Sequence, residues 1–135
     1  MGIRDRNISR SGGLSPRYIR WRVMAKTADY VITEDDMGTL FTNRGAAGLV
    51  MFTLPVPHAG LAGAVIRLLA VASQATGFAS AAADTLLTFN DAAADDVVLQ
   101  TASEIIGGTL EAVCDGTQWC ILPMTYPAQT ITIDT

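Results

Sequence analysis

An all-β fold, a small β-sandwich or barrel (jelly-roll-like) of about eight short strands with an extended N-terminal arm, is what this sequence predicts. Three observations carry the prediction. Short β-branched or aromatic runs recur with turn signals about every 8–12 residues. An Asp115-Gly116 step separates two apolar runs, the strongest short-range hairpin signal in the chain. Near the N-terminus, Ser9–Pro16 has neither a helical nor a strand period, and its Gly-Gly and Ser-Pro steps mark irregular chain.

Residues 1–24 are therefore expected as an extended arm that orders on a partner surface, and residues 25–135 as the body. In the body, Tyr30–Thr33 is a strand of β-branched and aromatic residues, followed by the turn cluster Glu34–Gly38. Thr39–Asn43 is the next strand. Leu49–Leu54 follows and ends at Pro55 and Pro57, whose missing N–H groups cannot extend a ladder. Val65–Val71 is apolar enough to be a strand buried on both faces, with a helix over residues 62–70 as the competing reading. Residues 74–84 read as a loop or a short helix. Thr85–Phe89 and Val97–Leu99 are strands around an acidic loop at residues 90–96. Thr109–Cys114 and Gln118–Leu122 form the hairpin, and Thr130–Asp134 alternates cleanly as a last strand, at an edge or paired with another subunit.

Half of the 135 residues are apolar and the mean hydropathy is +0.32, enough for one domain with its own core and too apolar for a disordered chain. No membrane span is expected: the run Gly45–Ile66 is broken by Pro55, Pro57 and glycines, and Leu68–Ala83 is short and carries polar residues. No leader-type apolar run follows the opening arginines, so the chain reads as a soluble cytosolic product.

The charge of −4 hides a segregation. Seven of the nine basic residues lie within the first 26 positions against one acid, Asp5, for a net +6. The remaining 109 residues hold Arg44 and Arg67 against twelve acids, for a net −10. A basic arm on an acidic body fits an acidic protein surface, with arginine forks on carboxylates and Tyr18 and Trp21 as anchors. A solvated, disordered tail is the second reading of the arm, and nucleic acid is the weaker partner, because the body would repel phosphate.

Catalytic and metal chemistry have little to stand on. His58 is the only histidine and has no second ligand nearby, so it reads as a surface loop residue. Cys114 and Cys120 flank the hairpin turn. They would face each other if Thr117 were its centre, although reduced thiols are expected. The pairs Asp35-Asp36 and Asp95-Asp96, the second with Asn90 and Asp91, lack the spacing of an EF-hand loop and read as solvated turn acids. No phosphate-binding, nucleophile-elbow or zinc-protease motif occurs. The expectation is a non-enzyme with no cofactor and no metal.

Residues 36–55 read D-x-G-x-x-F-x-N-x-G-A-x-G-x-V-x-F-x-L-P, carried by Asp36, Gly38, Phe41, Asn43, Gly45, Gly48, Val50, Phe52, Leu54 and Pro55. Ala59-Gly60-Leu61 follows, and Trp119 stands in the penultimate hairpin. The pattern resembles the small β-domains of tailed-bacteriophage virion proteins, found as capsid decoration (cement) proteins and in tail fibres or spikes. It covers roughly residues 28–122 and is dense over 36–61. Asp36 and Gly38 would make a turn, Phe41, Val50 and Phe52 would share a face, and Gly45 and Gly48 would allow a tight connection between paired strands.

The resemblance to cement proteins implies a homotrimer on the outer surface of the virion capsid, assembled in the host cytoplasm. Its partner would be the major capsid protein, gripped by Arg4, Arg6, Arg10, Arg17, Tyr18, Arg20, Trp21 and Arg22. A tail-fibre or spike receptor-binding module is the alternative, and a nucleic-acid-binding protein the third.

Overall fold

Strands alternate between two facing sheets for the first half of the chain, and the second half adds the hairpins β7–β8 and β10–β11 to one sheet and single strands to the other. The computed structural model describes residues 20–101, 105–125 and 127–135. The strands are β1 (Arg22–Ala25), β2 (Tyr30–Val31), β3 (Thr39–Thr42), β4 (Val50–Leu54), β5 (Val65–Leu69) and β6 (Thr76–Ser80). They continue as β7 (Leu86–Thr88), β8 (Asp91–Ala94), β9 (Asp96–Leu99), β10 (Thr109–Cys114), β11 (Trp119–Met124) and β12 (Ile131–Asp134). Two 3₁₀ turns, Glu34–Asp36 and Ala59–Leu61, are the helical pieces described.

One sheet has the order β1-β3-β5-β10-β11-β7-β8, and the other β12-β9-β6-β4-β2. Through β6, odd strands enter the first sheet and even strands the second, and each pairs in parallel with its predecessor there. The chain thus winds through three turns of a flattened parallel coil. Antiparallel strands then close it, β10 against β5 and β9 against β6.

Alternation along each strand builds the core. Phe41, Ile66, Leu68, Leu110, Ala112, Trp119 and Ile121 point inward from the seven-stranded sheet, and Val50, Phe52, Leu54, Phe78, Val97 and Leu99 from the other; all are buried. Registered positions stack aromatic on aromatic: Tyr30 opposes Phe52, which opposes Phe78. The Phe41 ring lies 5.5 Å from Tyr30 and 5.1 Å from Phe52, tilted against both as aromatic quadrupoles prefer.

The all-β sandwich is as expected, with twelve strands among the described residues where about eight were expected and with a parallel first half in place of jelly-roll hairpins. The arm boundary at residue 24 falls inside β1. Arg22–Ala25 pairs residue for residue with Thr39–Thr42, and Met24 packs on the core, so these positions belong to the body. Residues 62–70 hold β5 and no helix. That strand is buried on one face only, through Ile66 and Leu68. The segment 74–84 contains β6, a strand of small residues; Gly77 is required there because a Cβ would lie 2.2 Å from the Val97 carbonyl oxygen of β9. The expected acidic loop is largely β8 and the start of β9.

Candidate functional site

The pattern of residues 36–55 is one complete turn of the coil, and its residues are occupied in making it. Phe41 comes from β3, and Val50, Phe52 and Leu54 from β4. They meet in one interior from opposite sheets, so the two strands are successive and unpaired, contrary to the expected paired connection. Gly38 (φ +80°) turns the chain into β3 and donates its N–H to the Val65 carbonyl at 2.8 Å; Gly45 (φ +85°) turns the next corner. Nothing in the structure explains Gly48.

Asn43 is fully buried at that corner. Its Oδ1 accepts from the Val71 and Ala72 N–H groups at 2.8 and 2.9 Å, and its Nδ2 donates to the Gln74 and Ala72 carbonyls at 3.2 and 3.4 Å. One side chain thereby fixes the corner of the next turn, which an apolar residue could not do without orphaning two N–H groups. Trp119, buried in β11, donates its indole N–H to the Pro55 carbonyl at 2.8 Å and ties the hairpin to the end of β4.

Of the expected capsid-binding residues, Arg4, Arg6, Arg10, Arg17 and Tyr18 lie outside the described residues. Arg20, Trp21 and Arg22 stand at the edge of the seven-stranded sheet. Arg22 is engaged within the chain: its Nε donates to Thr39 Oγ1 at 3.1 Å, and its Nη2 to the Asp35 carbonyl at 3.0 Å and to Asp36 Oδ1 at 3.1 Å. Asp36 also accepts, on Oδ2, from the Tyr30 hydroxyl and the Thr33 N–H at 2.9 Å each, and from the Thr33 hydroxyl at 3.2 Å. Burial pushes the Asp36 carboxyl up, but the Thr33 N–H, the two hydroxyls and the Arg22 charge outweigh it and hold the group below its ordinary value. The Asp36 hydrogen bond, with burial, raises the Tyr30 hydroxyl in turn.

Trp21 is covered by the Arg67 guanidinium 4.5 Å from its ring centroid, and Arg67 pairs with Glu111 at 2.7 Å. Lys26 sits 4.1 Å over Tyr30. The basic patch expected to reach outward is, from residue 21 on, partly folded back onto its own sheet.

The opposite end differs. Beyond Arg67 the sequence has no basic residue, and Asp84, Asp91, Asp95, Asp96 and Asp134 gather around β7, β8, β9 and β12. Asp96 lies directly opposite Asp134 in the ladder; burial first, then this like charge, raises its carboxyl above the ordinary value.

The remaining candidates find ordinary partners. His58 Nδ1 accepts from the Gly60 N–H at 3.1 Å and its Nε2 meets Glu34 at 3.0 Å, on the surface. Cys114 is opposite Trp119 and Cys120 opposite Val113, so the hairpin loop is Asp115–Gln118 and the thiols point to opposite faces, both free. No group of three or more potential metal ligands forms among the described residues. Two adjoining grooves of about 330 and 340 Å³ share Thr125 and Gln129 at the mouth between β11 and β12, and apolar side chains line most of the rest.

The sequence reading missed the outer face of the seven-stranded sheet, where apolar residues sit at outward positions on successive strands. The signal was present in the apolar outer positions of β5 and β11, but it needs the strand order to be assembled. The chain matches no known family model and no curated protein.

Proposed function

We propose that this chain is a bacteriophage virion structural protein of the capsid decoration (cement) kind, which binds the assembled shell through its basic N-terminal segment and stabilises it. The observation that carries the reading is the segregation of charge along the chain. The first 26 residues carry a net +6 and the remaining 109 a net −10, and the end of the sandwich built from β7, β8, β9 and β12 is acidic. A particle-binding protein with this polarity seats its basic end on acidic capsid grooves and turns its acidic end to solvent. The motif of residues 36–55 supports the reading as a virion-type scaffold, because its residues build a coil turn and leave binding to the surface.

The mechanism is mechanical. Arg4, Arg6, Arg10, Arg17 and Tyr18, with Arg20 beside them, clamp neighbouring subunits of the major capsid protein. A homotrimer presents three such segments, so modest single contacts sum to tight attachment. A protein that binds only the assembled shell stabilises it by mass action.

The test is co-sedimentation with assembled capsid shells, comparing the full chain with residues 20–135, a truncation that keeps β1 intact. Binding by the full chain and a loss of at least tenfold on truncation are expected. Undiminished binding by the shortened chain overturns the assignment to the arm. Absence of any binding, together with retention on duplex DNA that weakens steeply with salt, would place the protein in the nucleic-acid class.

A further inference from the structure

We propose that the open edge of β12, with the groove behind it, takes an extended basic segment of another protein as an added strand. The proposal concerns the acidic end of the sandwich and goes beyond the decoration reading without resting on it.

The ladder defines the edge. Gln100 donates its N–H to the Thr130 carbonyl at 2.9 Å, and the register then turns the main-chain groups of Thr130 and Thr132 toward β9. Those of Ile131 and Ile133 point the other way, and β12 is the last strand of its sheet. Their N–H and C=O groups meet no strand among the described residues, which makes them a template for one. The other edges suit such a partner less. Strand β2 has two residues, β8 carries a register break against β7, and β1 contains Arg22 and is followed by Lys26, the wrong sign for a basic strand.

Behind the β12 edge the sandwich is unfinished. Strand β7 pairs with β11 at Trp119 and Cys120 and then leaves it. The inward side chains of Ile131 and Ile133 consequently line, with Phe89 and Pro123, a groove of about 340 Å³ where packed core would otherwise continue. Phe89 is 54% exposed there. Gln129 lines the same groove, and its Nε2 and Oε1 are out of solvent with no hydrogen-bond partner. A peptide group, with one acceptor and one donor, is the ligand that answers both atoms.

Charge selects the sequence of the added strand. Asp134 and Asp96 already oppose each other, and Asp95, whose N–H donates to the Asp134 carbonyl at 2.7 Å, adds a third acid. The chain has no basic residue beyond Arg67 to balance them. A lysine or arginine added opposite Asp134 relieves this repulsion, while residues opposite Ile131 and Ile133 enter the groove and are apolar. A second copy laying down its own β12 would bring more acids to this end. The chain's own N-terminal segment leads into β1, with β3, β5 and β10 between it and the groove.

The probe is a fluorescent peptide of alternating valine and threonine that opens with lysine, measured against the full chain by anisotropy and amide exchange. Saturable binding is expected, with the Ile131 and Ile133 amides slowed about tenfold and that of Thr132 little changed. Ile133→Pro removes an edge N–H but no ladder bond, and should weaken binding about tenfold. Asp134→Lys should reverse the preference toward a peptide that opens with glutamate. Should either variant fail to fold, a peptide with proline in place of its central valine makes the test from the ligand side, since it keeps the charge and cannot pair.

Binding that responds in these ways upholds the proposal. No binding overturns it, and so does equal binding by the proline peptide, which would leave charge alone as the cause. Binding that emerges only when residues 1–19 are removed assigns the edge to the chain's own segment, and a dimer abolished by Ile133→Pro assigns it to a second copy; either result overturns the foreign strand. Capsid co-sedimentation scores the decoration reading separately.

Discussion

The parallel coil of β1 to β6 and the mainly antiparallel half of β7 to β12, in which β7 against β11 is the parallel pair, enclose one core by opposite means. In the antiparallel half, β10 and β11 are neighbours in chain and in space, joined by the loop Asp115–Gln118, where Asp115 accepts from the Thr117 and Gln118 N–H groups at 2.8 and 2.7 Å. In the coil, successive strands lie in different sheets, and each ladder joins residues of successive turns, as Tyr30 to Phe52 and Phe52 to Phe78. Hairpins therefore specify themselves locally, whereas coil turns depend on corner residues that reach the next turn. Asn43 and Asp36 do in the coil what the Asp-Gly turn does in the hairpin.

The comparison can be broken first at the contact the halves share. Trp119→Ala removes the largest buried side chain and the bond to Pro55, and should cost about 3–5 kcal/mol in urea unfolding. Coincident loss of fluorescence and circular dichroism is expected; two separated transitions would show that the halves are independent units. Next comes Asn43→Ala, which leaves the Val71 and Ala72 N–H groups without their partner and should cost about 2–4 kcal/mol by the same measurement. A loss under about 1 kcal/mol would mean that the coil corners hold without it.

Asp36→Asn tests the first turn and should cost about 1–2 kcal/mol at neutral pH. The sign with pH follows from its lowered carboxyl. Stability from the ionised form is present above the ordinary carboxylate value and is lost as pH falls through the lower folded value. The gap between wild type and variant should thus narrow in acid, and a gap independent of pH would remove the charge from the explanation.

The smallest effect is expected in the antiparallel half. Asp96 is raised, so its penalty exists above the folded value and is relieved below it. Asp96→Asn should stabilise by up to about 1 kcal/mol at pH 7 and by nothing in acid. Destabilisation at pH 7 would show that the carboxylate has a partner worth more than the repulsion.

Local signals were readable in the sequence and long-range ones were not. The hairpin around Asp115-Gly116, the stop at Pro55 and the alternating edge strand β12 were all legible, because each is written in adjacent residues. Strand β6 was not, since Thr76-Gly77-Phe78-Ala79-Ser80 carries little β signal and exists because β4 and β9 flank it. Arg22 was legible as a cation but not as the partner of Asp36, fourteen positions away. Asn43 stood out as a pattern position, while its four hydrogen bonds depend on a corner about thirty residues downstream.

The order in which strands pair gives the coil a kinetic character. As the chain leaves the ribosome, β5 and β6 emerge with bare edges that only β10 and β9 will cover, after some thirty further residues on average. Loop closure over such spans is slower than forming the β10–β11 hairpin, so the coil waits for its lid. Until then its edges are open to strands of other nascent chains. Variants that weaken the β10 ladder should therefore lower the soluble yield from cells more than their equilibrium stability implies.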